Sequence, residues 1–316
     1  MTVPKTVLVM NALARPVIEP HLPDWIDARY FRHRQELLEM APEAEIGWFD
    51  LEDKDDMVRA IERAEKLKWL TSIYAGIDGF PLDLMAQRGV VFTNGAGISA
   101  ITIAEYVVMG MLTMAKGYRE VVHAQSRHEW LTDSPGKIEL AGSKALIVGY
   151  GAIGGLVDRM LQGFAVEVTK VRRSAGEGVL QPHEWRAQLG KFDWVILAVP
   201  ATAETEAMIG AAELAAMKPT AALINIARGS VIDQDALVAA LAEKRIGGAF
   251  LDVTTPEPLP PEHPLWSLPG AHVTMHLSGR AQDKMFPRSA ERFLANMARY
   301  GRGEPLEWQV DYALGY

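Results

Sequence analysis

The segment ALIVGYGAIGG, Ala145 to Gly155, constrains this chain most, because it joins a run of strand-forming apolar residues to glycines spaced G-x-G-x-x-G at Gly149, Gly151 and Gly154. Gly149 suits a tight turn off a strand, Gly151 lets a ligand reach bare backbone, and Gly154 lets the following helix pack closely on the sheet. Ile153, Leu156, Val157, Met160 and Leu161 then continue as an apolar helix face. Strand, turn and helix together predict a dinucleotide site with the pyrophosphate at the positive end of the helix. Its candidate contacts are Gly149, Gly151, Ala152, Ile153 and Gly154. In a chain with 27 glycines such spacing also arises by chance, so the flanking strand and helix carry the reading.

At 316 residues the chain is long for one core and suits two domains. It is 49% hydrophobic and 23% charged, the balance of an ordinary globular protein. A net charge of -8 speaks against a nucleic-acid or anionic-membrane partner, since either calls for a basic face. The absence of cysteine excludes disulfides and thiolate chemistry, and no spacing suggests a metal site. The opening MTVPKTVLVMNALARP reads as a first strand rather than a leader, and the apolar run Ile101 to Ala115 carries Glu105 and is too short to span a bilayer. A cytoplasmic protein is expected.

Short apolar runs alternate with helical patterns. Strands are expected at Thr6–Met10, Ile46–Phe49, Trp69–Ile73, Val90–Phe92, Ala145–Val148, Val166–Val171, Trp194–Ala198, Ala222–Ile226, Gly248–Val253 and His272–Met275. Helix-joined strands make parallel sheets. The expected class is therefore α/β with two domains, one of them a Rossmann doubly wound sheet. A helical stretch from Ser99 to about His128 connects the lobes, and a second covers about Asp283 to Tyr300. This gives a discontinuous outer lobe of residues 1–100 and 284–316 around a dinucleotide-binding lobe of residues 101–283.

The strand after the glycine motif ends in VEVTKVRRS. An acidic residue at its carboxyl end would hold the ribose 2′-hydroxyl of NAD, whereas arginine there accommodates the 2′-phosphate of NADP. Glu167 lies too early, and the end delivers Arg172, Arg173 and Ser174. Two guanidinium forks and a hydroxyl suit a phosphate dianion. NADP is expected as the preferred cofactor, with NAD as the alternative; the plain structural reading is a pair of solvated arginines.

Three further segments carry chemistry: NIARGSVID with Arg228 just past an apolar strand, LDVTTPEPLPPEHPLW with Glu257 in a proline-rich loop, and VTMHLSG with His276 at a strand end. All fall at the carboxyl edge of a parallel sheet, where ligands of open α/β folds bind. Hydride transfer to a ketone needs a proton donor near neutral pH, which histidine supplies. A carboxylate beside a histidine favours its charged form, and arginine polarises a carbonyl or pairs with a carboxylate. Each residue alone also has an ordinary reading as surface or loop solvation. Their order after a nucleotide motif is what distinguishes them.

With these motifs the chain resembles the D-isomer-specific 2-hydroxyacid dehydrogenases, over nearly its whole length: YAGID (Tyr74 to Asp78), IAEYVV (Ile103 to Val108), GYGAIG, NIARGSVID, LDVTTPEP and the His276 segment. The resemblance implies that Arg228, Glu257 and His276 form the catalytic set. It implies a flavodoxin-like substrate domain, a homodimer formed through the nucleotide lobes, and a substrate carboxylate held by the backbone amides of Ala75, Gly76 and Ile77, with Arg228 and His276 also at the substrate. Thr102 and Asp252 match positions on the nicotinamide side of the cofactor; Ala198, Val199 and Pro200 match a loop near its adenine. Ala227, Ser278 and Gly279 complete the cofactor set.

Within the family, LDVTTPEPLPPEHPLW and the closing QVDYALGY are most similar to glyoxylate/hydroxypyruvate reductases, which commonly prefer NADPH. That implies reduction of small 2-oxoacids to 2-hydroxyacids with His276 as proton donor. The alternative is a nicotinamide-sensing, protein-gripping module, as in corepressors related to the family. Two departures stand out: Met275 precedes the histidine where proline is usual, and Tyr74 is bulkier than the common residue before the Ala-Gly pair.

Overall fold

The computed structural model describes residues 5–173, 176, 178–280 and 282–313; Ser174 lies outside them. The chain divides into two compact units, Met1–Ser99 with Ala281–Tyr316, and Ala100–Arg280.

The first unit is built on five parallel strands, β1 (Thr6–Asn11), β2 (Ile26–Phe31), β3 (Ile46–Trp48), β4 (Trp69–Thr71) and β5 (Val91–Thr93), in the order β2-β1-β3-β4-β5. That is the flavodoxin-like order. Because side chains alternate across a strand, β1 sends Val9 into one buried cluster with Leu37, Ile61, Met85 and Phe92, and Leu8 and Met10 into another. In the second cluster Phe293, from the helix Gln282–Gly301, packs with its ring centroid 5.2 Å from Trp48 and 5.2 Å from Trp69. Both sheet faces are thus covered.

The second unit has seven parallel strands, β6 (Lys144–Val148), β7 (Glu167–Val171), β8 (Val179–Leu180), β9 (Trp194–Leu197), β10 (Ala222–Asn225), β11 (Gly248–Leu251) and β12 (Ala271–Val273), in the order β12-β11-β10-β9-β6-β7-β8. The reversal between β6 and β9 is the switch point of a Rossmann fold. On β6, Leu146 and Val148 face one core and Ala145 and Ile147 the other, which is why its sequence reads as a continuous apolar run.

Two strands escape the apolar-run criterion. β2 reads IDARYF with Asp27 and Arg29 paired at 3.0 Å on an edge that stays half exposed. β8 has only two residues. Several expected strands end early because their last residues serve the loops. The β4 run stops at Thr71 because the amide of Ile73 donates to the Asp50 carboxylate (2.7 Å) rather than to a ladder. The β12 run stops at Val273 because Met275 and His276 both turn left-handed, at φ of 55° and 56°. No helix among the described residues is long and apolar enough to cross a membrane, and no group of three or more His, Cys, Asp or Glu among them could hold a metal.

Candidate active site

The glycine motif sits where β6 meets its helix, Ala152–Gln162. Gly149 has φ of 102°, and a methyl group on it would lie 2.4 Å from the Ala198 carbonyl oxygen at the end of β9. A methyl on Gly154 would lie 2.4 Å from the Gly149 oxygen, so helix and turn touch backbone to backbone. Gly151 differs: nothing lies within 4 Å of where its Cβ would be. It also caps the helix with no side-chain bond to the first amides, those of Ala152 and Ile153. Open space, available amides and the helix dipole together form an anion site.

A cluster around this turn was not legible from the motif. Asp158, buried on the helix, accepts from the Tyr150 hydroxyl (2.6 Å) and pairs with Lys170 of β7 (2.9 Å), whose ammonium also lies 4.9 Å from the centre of the Tyr150 ring. Burial pushes the Asp158 carboxyl up, but these partners outweigh it and hold it below the usual range. The cluster fastens the middle residue of the G-x-G turn to helix and strand. Its only signal in sequence is a tyrosine inside the motif and an acid eight residues on.

Arg172 and Arg173 follow β7 directly. The amide of Arg172 donates to Leu180 of β8 (3.3 Å), and the Arg173 guanidinium pairs with Glu204 (2.5 Å). Ala198, Val199 and Pro200 follow β9, and Thr102 lies in the first turn of the helix Ala100–Ala115.

The remaining segments leave β10, β11 and β12 at the same sheet edge. Asn225 ends β10 and folds its amide back, donating to the Arg228 carbonyl (2.9 Å) and accepting from the amide of Ala227 (3.0 Å). Gly229 then presses on the next loop, its would-be Cβ 2.1 Å from the Thr254 carbonyl carbon. In that loop Glu257 accepts the Thr254 amide on Oε1 (3.0 Å), while its Oε2 accepts from His276 Nδ1 (2.7 Å). Gln234 holds the loop from outside, since its carbonyl accepts the Thr255 amide (2.9 Å) and its amide group donates to the Thr255 oxygen.

The His276 segment is built around Asp252. The buried carboxylate accepts from the Thr274 hydroxyl (2.8 Å) and the amides of Leu277 (2.9 Å) and Ser278 (3.2 Å), and the Asp252 carbonyl accepts the His276 amide (2.6 Å). These bonds hold two consecutive left-handed residues, a conformation that L-residues rarely adopt. Asp252, expected on the nicotinamide side of the cofactor, thus has both side-chain oxygens engaged with the histidine loop. Gly279 completes the turn. The structure therefore brings Glu257 and His276 into contact and sets Arg228 on the loop that abuts theirs.

Ala75, Gly76 and Ile77 belong to the first unit, in the loop after β4. The bulky Tyr74 beside them donates its hydroxyl to the Leu51 carbonyl (3.1 Å), which spans the loops after β3 and β4.

A Rossmann sheet with an open anion turn and a carboxylate–histidine pair at its carboxyl edge defines a dinucleotide-dependent enzyme. The model of the D-isomer specific 2-hydroxyacid dehydrogenase NAD-binding domain matches residues 108–278. Glyoxylate/hydroxypyruvate reductase B of Yersinia enterocolitica is 32% identical over 240 residues, 73% of this chain and 73% of its own. A family protein from Aeromonas salmonicida superposes with a TM-score of 0.87 at 28% identity, covering 98% of this chain and 100% of its own. A D-isomer specific 2-hydroxyacid dehydrogenase from Xanthobacter autotrophicus, solved with NADPH and MES, gives 0.78 at 26%, covering 99% and 100%. The chain belongs to the D-isomer specific 2-hydroxyacid dehydrogenase family, and it is an NAD(P)-dependent oxidoreductase of 2-hydroxyacids and 2-oxoacids.

Proposed function

We propose that the protein is an NADPH-dependent reductase of small 2-oxoacids of the glyoxylate and hydroxypyruvate type, with His276 as proton donor. The observation that carries this reading is the 2.7 Å bond between His276 Nδ1 and Glu257 Oε2. It commits one ring nitrogen to the carboxylate and leaves Nε2 as the nitrogen that serves a substrate oxygen.

A nicotinamide dinucleotide held at Gly151 and the start of the helix Ala152–Gln162 would supply the hydride for the carbonyl carbon. His276 Nε2 gives its proton to the carbonyl oxygen, yielding the hydroxyl. Glu257 keeps the ring oriented and balances its charge, and Asp252 fixes the backbone that carries it. Arg228 polarises the carbonyl and pairs with the carboxylate. The amides of Ala75, Gly76 and Ile77 hold the substrate carboxylate: among the described residues no acceptor takes any of the three. In this reading residues 1–100 and 284–316 form the substrate domain and residues 101–283 the cofactor domain.

Arg172 and Arg173 support NADPH as the reductant, and the NADPH carried by the Xanthobacter relative agrees with that choice. A homodimer through the nucleotide lobes is supported by one apolar cleft on this unit, where the exposed Met109, Tyr118 and Phe164 lie together with Val108, Leu112 and Met160. Sedimentation of wild type against Tyr118→Glu tests it.

The deciding experiment follows NADPH absorbance with glyoxylate, hydroxypyruvate and larger 2-oxoacids. Many equivalents of product per enzyme, fastest on the two small acids, is the expected result. Binding of the nucleotide without turnover would leave a sensor instead of an enzyme.

A further inference from the structure

In the first unit a buried carboxylate lies directly beneath the loop whose amides are assigned above to the substrate. Asp50, 9% exposed at the end of β3, receives three donors: the Ser72 hydroxyl on Oδ1 (2.6 Å), and the amide of Ile73 (2.7 Å) and the indole of Trp48 (2.8 Å) on Oδ2. The Ser72 oxygen in turn accepts the amide of Tyr74 (3.1 Å). On the other side the Tyr74 carbonyl accepts from Gly95 (2.8 Å) and the Ala75 carbonyl from Asn94 (2.9 Å).

The pattern along the loop is a division of labour. The amides of residues 73 and 74 are spent inward on Asp50 and Ser72, and the carbonyls of residues 74 and 75 are tied to the neighbouring loop. Among the described residues no acceptor takes the next three amides, at Ala75, Gly76 and Ile77. A backbone path with its first two N–H groups pinned on one side is forced to present the following ones elsewhere. Burying an ionisable carboxyl without a cation is costly, and the positive groups acting on Asp50 are hydrogen-bond donors only.

We propose that Asp50, through Ser72, is a positioning residue for substrate: it fixes the loop so that the amides of Ala75, Gly76 and Ile77 converge on the carboxylate of a 2-oxoacid. This rests on the assignment of those amides to the substrate. Asp50 touches neither substrate nor cofactor, so its removal weakens carboxylate binding and leaves cofactor binding and the proton-donor pair in the other unit as they are.

The test uses Asp50→Asn, Ser72→Ala and Ser72→Thr in the full-length protein, with KM and kcat for glyoxylate, Kd for NADPH by fluorescence, and KM for methylglyoxal, which lacks a carboxylate. Losing a charge-assisted bond to the loop corresponds to roughly tenfold in affinity. KM for glyoxylate is therefore expected to rise about tenfold in Asp50→Asn and Ser72→Ala. NADPH Kd and KM for methylglyoxal should stay at wild-type values, and Ser72→Thr, which keeps the hydroxyl, should restore KM. If Asp50→Asn does not fold, the two serine variants carry the same comparison. An unchanged glyoxylate KM in Ser72→Ala, or equal rises for both substrates, overturns the role of Asp50. If wild type itself does not favour glyoxylate over methylglyoxal, the amide assignment falls first and the positioning role with it.

Discussion

A methyl group on Gly229 would lie 2.1 Å from the carbonyl carbon of Thr254, so the loop bearing Arg228 and the loop bearing Glu257 meet backbone to backbone. No side chain fits between them. The amide of Thr254 also donates to Glu257 (3.0 Å), which makes this contact the support on which the carboxylate rests.

Gly229→Ala should therefore push the Thr254 segment outward and loosen Glu257 from His276. Shifts of about 1 Å at a catalytic group cost on the order of 100-fold in rate. The expected result is a kcat reduced about that much with NADPH affinity kept; a kcat within twofold of wild type would show that the two loops move apart without consequence.

His276→Ala should lower kcat by about 100-fold or more, the range for loss of a general acid, with NADPH binding intact by fluorescence titration. Glu257→Gln keeps the size of the side chain but loses the charge-assisted bond, so kcat should fall by less, about tenfold. Full activity in the His276 variant would remove it as proton donor.

Much of this is legible in the sequence because the relevant residues obey local rules. The glycine spacing predicts the turn, and Gly149 and Gly154 indeed make contacts that no side chain permits. Glu257 and His276 lie nineteen residues apart, and their pairing follows from the parallel order of β11 and β12, which places both loops at one sheet edge. What local patterns do not reveal is where a polar side chain spends its bonds. Asp50, Asp158 and Asp252 look like any strand-end or helix acid in the sequence, yet each is buried and organises a loop through donors 23, 8 and 25 residues away. The edge strand β2 escapes the apolar pattern for the related reason that its middle residues stay half exposed.

Asp50 also predicts a pH dependence of stability. Burial outweighs its hydrogen bonds and raises the carboxyl from 3.8 to about 6. Between these values the folded state holds the proton more tightly than the unfolded state, so this group stabilises the fold at low pH and the benefit is lost as pH rises through about 6. The full difference is on the order of 3 kcal/mol. In urea unfolding at pH 7.5 and at pH 4.5, Asp50→Asn should therefore compare more favourably with wild type at the higher pH. The comparison cancels the hydrogen bonds that the substitution loses at both. An equal offset at the two pH values would mean that Asp50 titrates as an exposed carboxylate does.

Cofactor choice is the sharpest test of the second Rossmann strand. Arg172 and Arg173 emerge at the end of β7, where the adenosine ribose of a bound dinucleotide lies in this fold. Each charge-assisted bond to a 2′-phosphate is worth about 1.5–3 kcal/mol, and at an exposed site the lower end applies. The Arg173 guanidinium is engaged with Glu204, whose carboxylate competes with the phosphate for the same fork. Glu204→Gln should therefore lower KM for NADPH and leave that for NADH unchanged, which a purely structural ion pair would not do. Changing Arg172 to Asp and Arg173 to Ala should raise KM for NADPH by about tenfold or more and improve the NADH reaction, because an acid then meets the free 2′-hydroxyl. The kcat with saturating NADPH should change far less, since the 2′-phosphate takes no part in the hydride step. A wild-type enzyme with the higher kcat/KM for NADH would show that the two arginines do not serve a 2′-phosphate and that the pairing of Arg173 with Glu204 is only a surface contact.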